Sequence, residues 1–124
     1  NLTPAMVARL KEIPNVQGIK EASGNISQIV EVCKLADENF QVYSGNDDQV
    51  LPLLSVGGSG VISTIANLLP AETSKMVHDY LEGNWEAAKK TQLAQLPLIQ
   101  AIFKEVNPVP VKAAVSLLGK CDMN

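Results

Sequence analysis

Three short apolar segments recur along this chain, Val16–Ala22, Phe40–Tyr43 and Gly60–Ser63, and each is followed by a helix-patterned stretch. The first two end in small polar turns, Ser23-Gly24-Asn25 and Ser44-Gly45-Asn46. Strands that alternate with helices of about ten residues predict parallel pairing through right-handed crossovers, because a hairpin cannot join parallel strands. Three parallel strands make a thin sheet whose two edges need covering. The rhythm therefore predicts part of a larger α/β sheet or barrel. The chain opens at Asn1 without an initiator Met and stops shortly after a helix-like segment. A piece of a longer protein is the expectation.

Local chemistry supports the helices. Thr3 is suited to be an N-cap and Pro4 to the first helical turn, where its missing N–H costs nothing. Met6, Val7, Leu10 and Ile13 then share one face, and Pro14-Asn15 ends the run. Ile26, Ile29, Val30, Cys33 and Ala36 mark a second amphipathic helix. Asp47 or Asp48 can open a third, carrying Val50, Leu51 and Leu54. Beyond the third strand, Met76, Val77, Tyr80 and Leu81 line a helix ending at Gly83, a suitable C′ residue. Asn84 can cap a long helix from Trp85 to about Phe103, which Pro97 should kink or interrupt. Asn107-Pro108-Val109-Pro110 reads as a rigid extended connector, and Pro110 opens a last helix stopped by Gly119.

Composition excludes several classes. With 124 residues, 46% apolar and 19% charged, the chain can build a core and is not disordered. A net charge of −3 argues against a nucleic-acid face, and no apolar run reaches the ~18 residues of a membrane span. Cys33 and Cys121 are too few for a disulfide framework and lack metal-ligand spacing, so a reducing cytosol is the simplest setting. No metal site is expected: His78 has no second histidine nearby, and the pairs Asp37-Glu38 and Asp47-Asp48 read as solvated helix ends. Asn25-Ile26-Ser27 is a chance match to the glycosylation sequon. Gly57-Gly58-Ser59-Gly60 precedes a strand rather than a helix, which makes it a structural turn and not a phosphate cradle.

Ligands of parallel α/β folds gather at the carboxyl ends of the strands. Lys20 is the unusual residue there. Alternation puts Gly18, Lys20 and Ala22 on one face and Ile19 and Glu21 on the other. Such small neighbours suggest a desolvated lysine, and desolvated lysines readily supply the neutral amine that attacks a carbonyl to form a Schiff base. The alternative is a lysine paired with a carboxylate at the strand end. Gly45 is either a turn glycine or a point where a ligand approaches the backbone. Gly18, Ala22, Val42 and Val61 are expected to point inward, away from the helices.

Taken together, Gly18-Ile19-Lys20-Glu21-Ala22-Ser23-Gly24, Tyr43-Ser44-Gly45-Asn46-Asp47, Gly57-Gly58-Ser59-Gly60-Val61-Ile62-Ser63 and Phe103–Lys112 resemble the dihydrodipicolinate synthase family, in order and over essentially the whole chain. The resemblance implies a partial (β/α)8 TIM barrel comprising the last three βα units, over residues 1–83, followed by a truncated C-terminal helical region over 84–124. It implies that Lys20 is the Schiff-base lysine and that the backbone at Gly45 and Ile62 lies against bound pyruvate. The activity implied is condensation of pyruvate with aspartate semialdehyde in lysine (diaminopimelate) biosynthesis. It needs no cofactor and takes place in the cytoplasm, in a homo-oligomer, commonly a tetramer of tight dimers. The relay tyrosine and threonine, the neighbouring subunit's tyrosine and the carboxylate-binding arginine of the family have no counterpart in these residues. The missing N-terminal half is thus an expected partner, and the 124 residues alone are expected to be inactive. Another pyruvate aldolase, such as N-acetylneuraminate lyase, is the alternative within the class. A catalytically silent half-barrel is the alternative outside it.

Overall fold

Thr3 and Pro4 start the first helix as their chemistry dictates. In the computed structural model, which describes residues 1–122, the Thr3 hydroxyl accepts from the Met6 N–H at 3.3 Å and caps α1 (Pro4–Lys11). Then come β1 (Gly18–Glu21), α2 (Ile26–Cys33), β2 (Gln41–Ser44), a 3-10 turn, α3 (Val50–Ser55) and β3 (Gly60–Val61). A second 3-10 turn, α4 (Pro70–Leu81), α5 (Trp85–Ile102) and α6 (Val109–Leu117) complete the order. The strands are parallel and lie in the order β1-β2-β3. The protein is an α/β chain with a three-stranded parallel sheet, as the rhythm predicts. Two compact units result, Asn1–Ile62 and Ser63–Asn124.

In the first unit, the helices cover one face of the sheet. Val7 of α1, Ile29, Val32 and Cys33 of α2, Phe40 and Val42 of the β2 segment and Leu53 of α3 form one buried cluster, with Ile19 packed against it. Fully burying each of the larger aliphatic side chains stabilises the fold by roughly 1.5–3 kcal/mol. Asn25, the first residue of the sequon, caps α2 by accepting from the N–H groups of Ser27 at 3.0 Å and Gln28 at 3.4 Å. Lys11 joins α1 to the loop before β2. It donates to the Leu35 carbonyl at 2.6 Å, pairs with Asp37 and lies 5.8 Å from the Phe40 ring centroid.

Several expectations change here. Val42 faces the helices and not the interior side, and Val61, which registers with buried Ser44, shares its side. The other face of the sheet instead carries Gly18, Lys20, Gln41, Tyr43 and Gly60, because side chains of registered parallel strands point the same way. The strands are shorter than the apolar runs, since only residues with a ladder partner count as strand; β3 has two, opposite Tyr43 and Ser44. Ile26 and Val30 are about half exposed, because α2 buries Ile29, Val32 and Cys33 instead. Asp47 is buried, 2% exposed, in the 3-10 turn Asp47–Gln49 and is not a solvated helix end.

The second unit is helical. α4 ends in a Schellman motif: Asn84 N–H donates to Asp79 O at 2.7 Å and Gly83 N–H to Tyr80 O at 3.1 Å, with Gly83 at φ +87°. Asn84 stands at the N-cap of α5 without a side-chain capping bond. Pro97 does not interrupt α5, which runs unbroken for 18 residues. Pro97 and Leu93 are both exposed, so the turn that lacks the Leu93 acceptor bond lies on the solvent side of α5. The Asn107–Pro108 peptide is cis and the segment is a turn rather than an extended connector; Val109 N–H closes it on Val106 O at 3.1 Å. Ile65, Ile99 and Ile102 form the buried cluster of this unit. Packing joins α4 to α5, and the boundary between the compact units precedes α4. The helical region 84–124 expected from the family resemblance reaches two residues past the described ones.

Candidate active site

The β1–β2 ladder decides which residues meet. Its register places Lys20 beside Tyr43, and the Gly45 N–H donates to the Glu21 carbonyl at 2.7 Å just past the last strand pair. Ile62 continues β3, and its N–H donates to Ser44 O at 2.8 Å. Lys20, Gly45 and Ile62 therefore lie at the carboxyl edge of one sheet, on adjacent strands. An open cleft of about 420 Å³ runs along the uncovered sheet face, lined by Lys20, Tyr43, Ile62, Gln17 and Gln41 among others. A second depression, of about 490 Å³, follows α1 between Leu2, Met6, Leu10 and Ile13, with Arg9 and Glu12 on its walls. It is lined by α1 and the residues flanking it and brings together no amine or thiol nucleophile.

Lys20 lies across Gly45. A methyl group on Gly45 would stand 2.8 Å from Lys20 Cε, 3.1 Å from Lys20 Cγ and 2.6 Å from the Ala22 Cβ. The glycine is required for close approach, and what approaches it is the lysine itself. The expectation of a desolvated Lys20 is not met within this chain, where the residue is exposed. Glycine and alanine neighbours are too small to shield it on an uncovered sheet face.

The other reading, a lysine neutralised by a strand-end carboxylate, fails on geometry. Glu21, the nearest carboxylate in sequence, points to the helix side and is 4% exposed. Its Oε1 accepts from the Ser23 N–H at 2.7 Å and its Oε2 from Gln28 Nε2 at 3.2 Å. The ion pairs among the described residues join Lys11 to Asp37, Lys75 to Asp79 and Lys89 to Glu86, leaving the Lys20 amine available. Among the described residues no group of three or more His, Cys, Asp or Glu side chains is arranged to hold a metal ion. Among the described residues no helix is long and apolar enough to cross a membrane.

Sequence reasoning left Gln41 and Tyr43 out of the site and gave Glu21 no structural task. The signal for the first two was present: they share parity with Gly45 along β2 and so share its face. Nothing local announces that Glu21 is buried, because α2 and the segment before α1 supply its surroundings.

Lys20, Gly45 and Ile62 thus stand on three adjacent strand ends of one parallel α/β unit. The chain belongs to the dihydrodipicolinate synthetase family, whose profile matches residues 1–123. It is 51% identical over 119 residues to the 4-hydroxy-tetrahydrodipicolinate synthase of Caldicellulosiruptor saccharolyticus and 50% identical to that of Acetivibrio thermocellus. In each case 96% of this chain is covered, and it spans about 40% of the relative's length. Among solved structures, the dihydrodipicolinate synthase of Thermotoga maritima covers the whole chain with a TM-score of 0.94 and 40% identity, using 43% of its own length. A synthase described as the first monomeric variant gives the same TM-score at 39% identity, again over 43% of its length.

Proposed function

We propose that this chain forms the Schiff-base part of a 4-hydroxy-tetrahydrodipicolinate synthase, with Lys20 as the nucleophile. The observation that carries the reading is the Lys20 side chain laid over bare Gly45 at the strand ends, with its neighbouring carboxylate engaged elsewhere. The relatives carry the synthase name, which favours that activity over a sugar-acid aldolase. In this reading residues 1–83 supply three βα units of a (β/α)8 barrel and 84–124 its C-terminal helical region. The protein works in the cytoplasm, without a cofactor, as a homo-oligomer.

The free-base amine of Lys20 adds to the keto carbon of pyruvate, and the carbinolamine loses water to give an imine. The protonated imine draws electrons from the methyl group, a methyl proton leaves to a base, and an enamine forms. Its carbon attacks the aldehyde of aspartate semialdehyde. The amine of that substrate then attacks the former imine carbon, closing the ring and expelling Lys20. The backbone at Gly45 and Ile62, whose N–H groups are already bonded to the Glu21 and Ser44 carbonyls, lies against the bound pyruvate in this reading. Since the chain spans about 40% of its relatives, the base and the carboxylate-binding arginine belong to the remainder of the protein.

The test is borohydride reduction in the presence of pyruvate, performed on the full-length protein. A reduced adduct on the peptide containing Lys20, absent in Lys20→Ala, is the expected result. An adduct on another lysine, or undiminished turnover in Lys20→Ala, rules the assignment out.

A further inference from the structure

The residue after Lys20 has three direct ties and, through Gln28, an indirect fourth, each to a different part of the first unit. The Glu21 carboxylate accepts from the Ser23 N–H at 2.7 Å, which holds the turn, and from Gln28 Nε2 at 3.2 Å, which holds α2. The same Gln28 amide donates to the Leu2 carbonyl at 3.1 Å, in the segment before α1. The Glu21 carbonyl accepts from the Gly45 N–H at 2.7 Å, which holds the end of β2. Burial alone does not call for a charge here, since an apolar side chain of similar size would be desolvated at lower cost. What a carboxylate adds is two directional acceptor bonds.

Lys20 is the preceding residue and points to the opposite face. It is exposed, and no side chain among the described residues fixes it; its course is limited by the strand beneath it and by Gly45 alongside. Turning the end of β1 about its own axis would displace Glu21 and Lys20 together, in opposite directions on the two faces of the sheet. The carboxylate that locks one therefore aims the other. We infer that Glu21 is a positioning residue for Lys20, holding the end of β1 so that the amine stays over Gly45, where a carbonyl can be attacked. The inference rests on the imine reading above, and its effect falls on the rate of attack rather than on pyruvate binding.

The experiment is the pyruvate dependence of borohydride trapping at Lys20 in the full-length protein, for wild type, Glu21→Leu and Glu21→Gln. Loss of orientation should lower the maximal trapping rate of Glu21→Leu about tenfold or more. Half-saturation by pyruvate should stay within about twofold of wild type, since orientation acts on the chemical step. Glu21→Gln keeps an acceptor for the Ser23 N–H and should recover most of the rate. If Glu21→Leu does not fold, Gln28→Leu replaces it; a maximal rate reduced about threefold or more supports the inference, and an unchanged one overturns it. Equal maximal rates in wild type and Glu21→Leu, or a loss confined to half-saturation, overturn it while leaving the imine reading intact. Wild-type protein that traps nothing at Lys20 overturns both.

Discussion

The Lys20 side chain lies across Gly45, so closely that a single methyl group on the glycine would stand 2.8 Å from Lys20 Cε. Two strands meet here by register: β1 brings the lysine, β2 ends one residue before the glycine, and the Gly45 N–H to Glu21 O bond joins them. The position of the Lys20 side chain thus depends on an absent side chain one strand away.

Gly45→Ala is accordingly expected to harm chemistry as well as stability. The new methyl meets Lys20 and the Ala22 Cβ, and overpacking of this kind costs about 1–3 kcal/mol. Displacing the amine by an ångström lowers imine trapping by roughly 10–100-fold. Borohydride trapping and a urea titration on the same preparation measure the two effects. Trapping at the wild-type rate would show that Lys20 does not need the space.

The contact between Lys11 and Asp37 predicts a pH dependence of stability. Hydrogen bonding from Lys11 is the largest influence on Asp37 and lowers its carboxyl below the usual aspartate range; the Asn39 N–H acts the same way. The folded state therefore releases this proton more readily than the unfolded state. The stabilisation is fully present above the unfolded aspartate value, ~3.9, and is lost as pH falls through the lower native value. Urea midpoints of wild type and Asp37→Asn should differ at pH 7 and converge in acid. The pair is partly exposed, so the difference should also shrink in high salt. A gap that persists unchanged at the lowest pH would refute the assignment.

The two thiols should behave differently. Cys33 is buried in the first unit's core, and burial, followed by the negative charge of Glu21, pushes its thiol above the ordinary range. Cys121 is exposed. Iodoacetamide at neutral pH should label Cys121 and spare Cys33 until denaturant is added, as peptide mass spectrometry would read directly. The raised thiol also gives a sign. Its contribution to stability is present below the unfolded thiol value and declines as pH rises through the native one. Rapid labelling of Cys33 in the folded protein would contradict its place in the core.

Much of the fold is written in local patterns. Thr3 and Asn25 carry the oxygen acceptors that cap α1 and α2, Gly83 adopts the positive φ that ends α4, and the apolar segments repeat at the spacing that parallel strands need. Lys20, Gly45 and Ile62 stand out because they follow that spacing to the strand ends. Phase and burial are not local properties. Val42 takes the face opposite to the expected one because only ladder pairing with β1 selects which parity meets the helices. Ile26 and Val30 look like core residues until α1 and α3 occupy the other side of α2. Pro97 is tolerated in α5 on the solvent side of the helix, one turn from exposed Leu93. By itself, the sequence determined the α/β order, the helix boundaries that depend on caps, and the strand ends where chemistry gathers. Tertiary structure alone decided that Glu21 is buried and tied, that Lys20 is exposed and unpaired, and that Gly45 lies beneath it. Those three facts depend on groups brought together from different strands and helices, and no neighbour along the chain encodes that meeting.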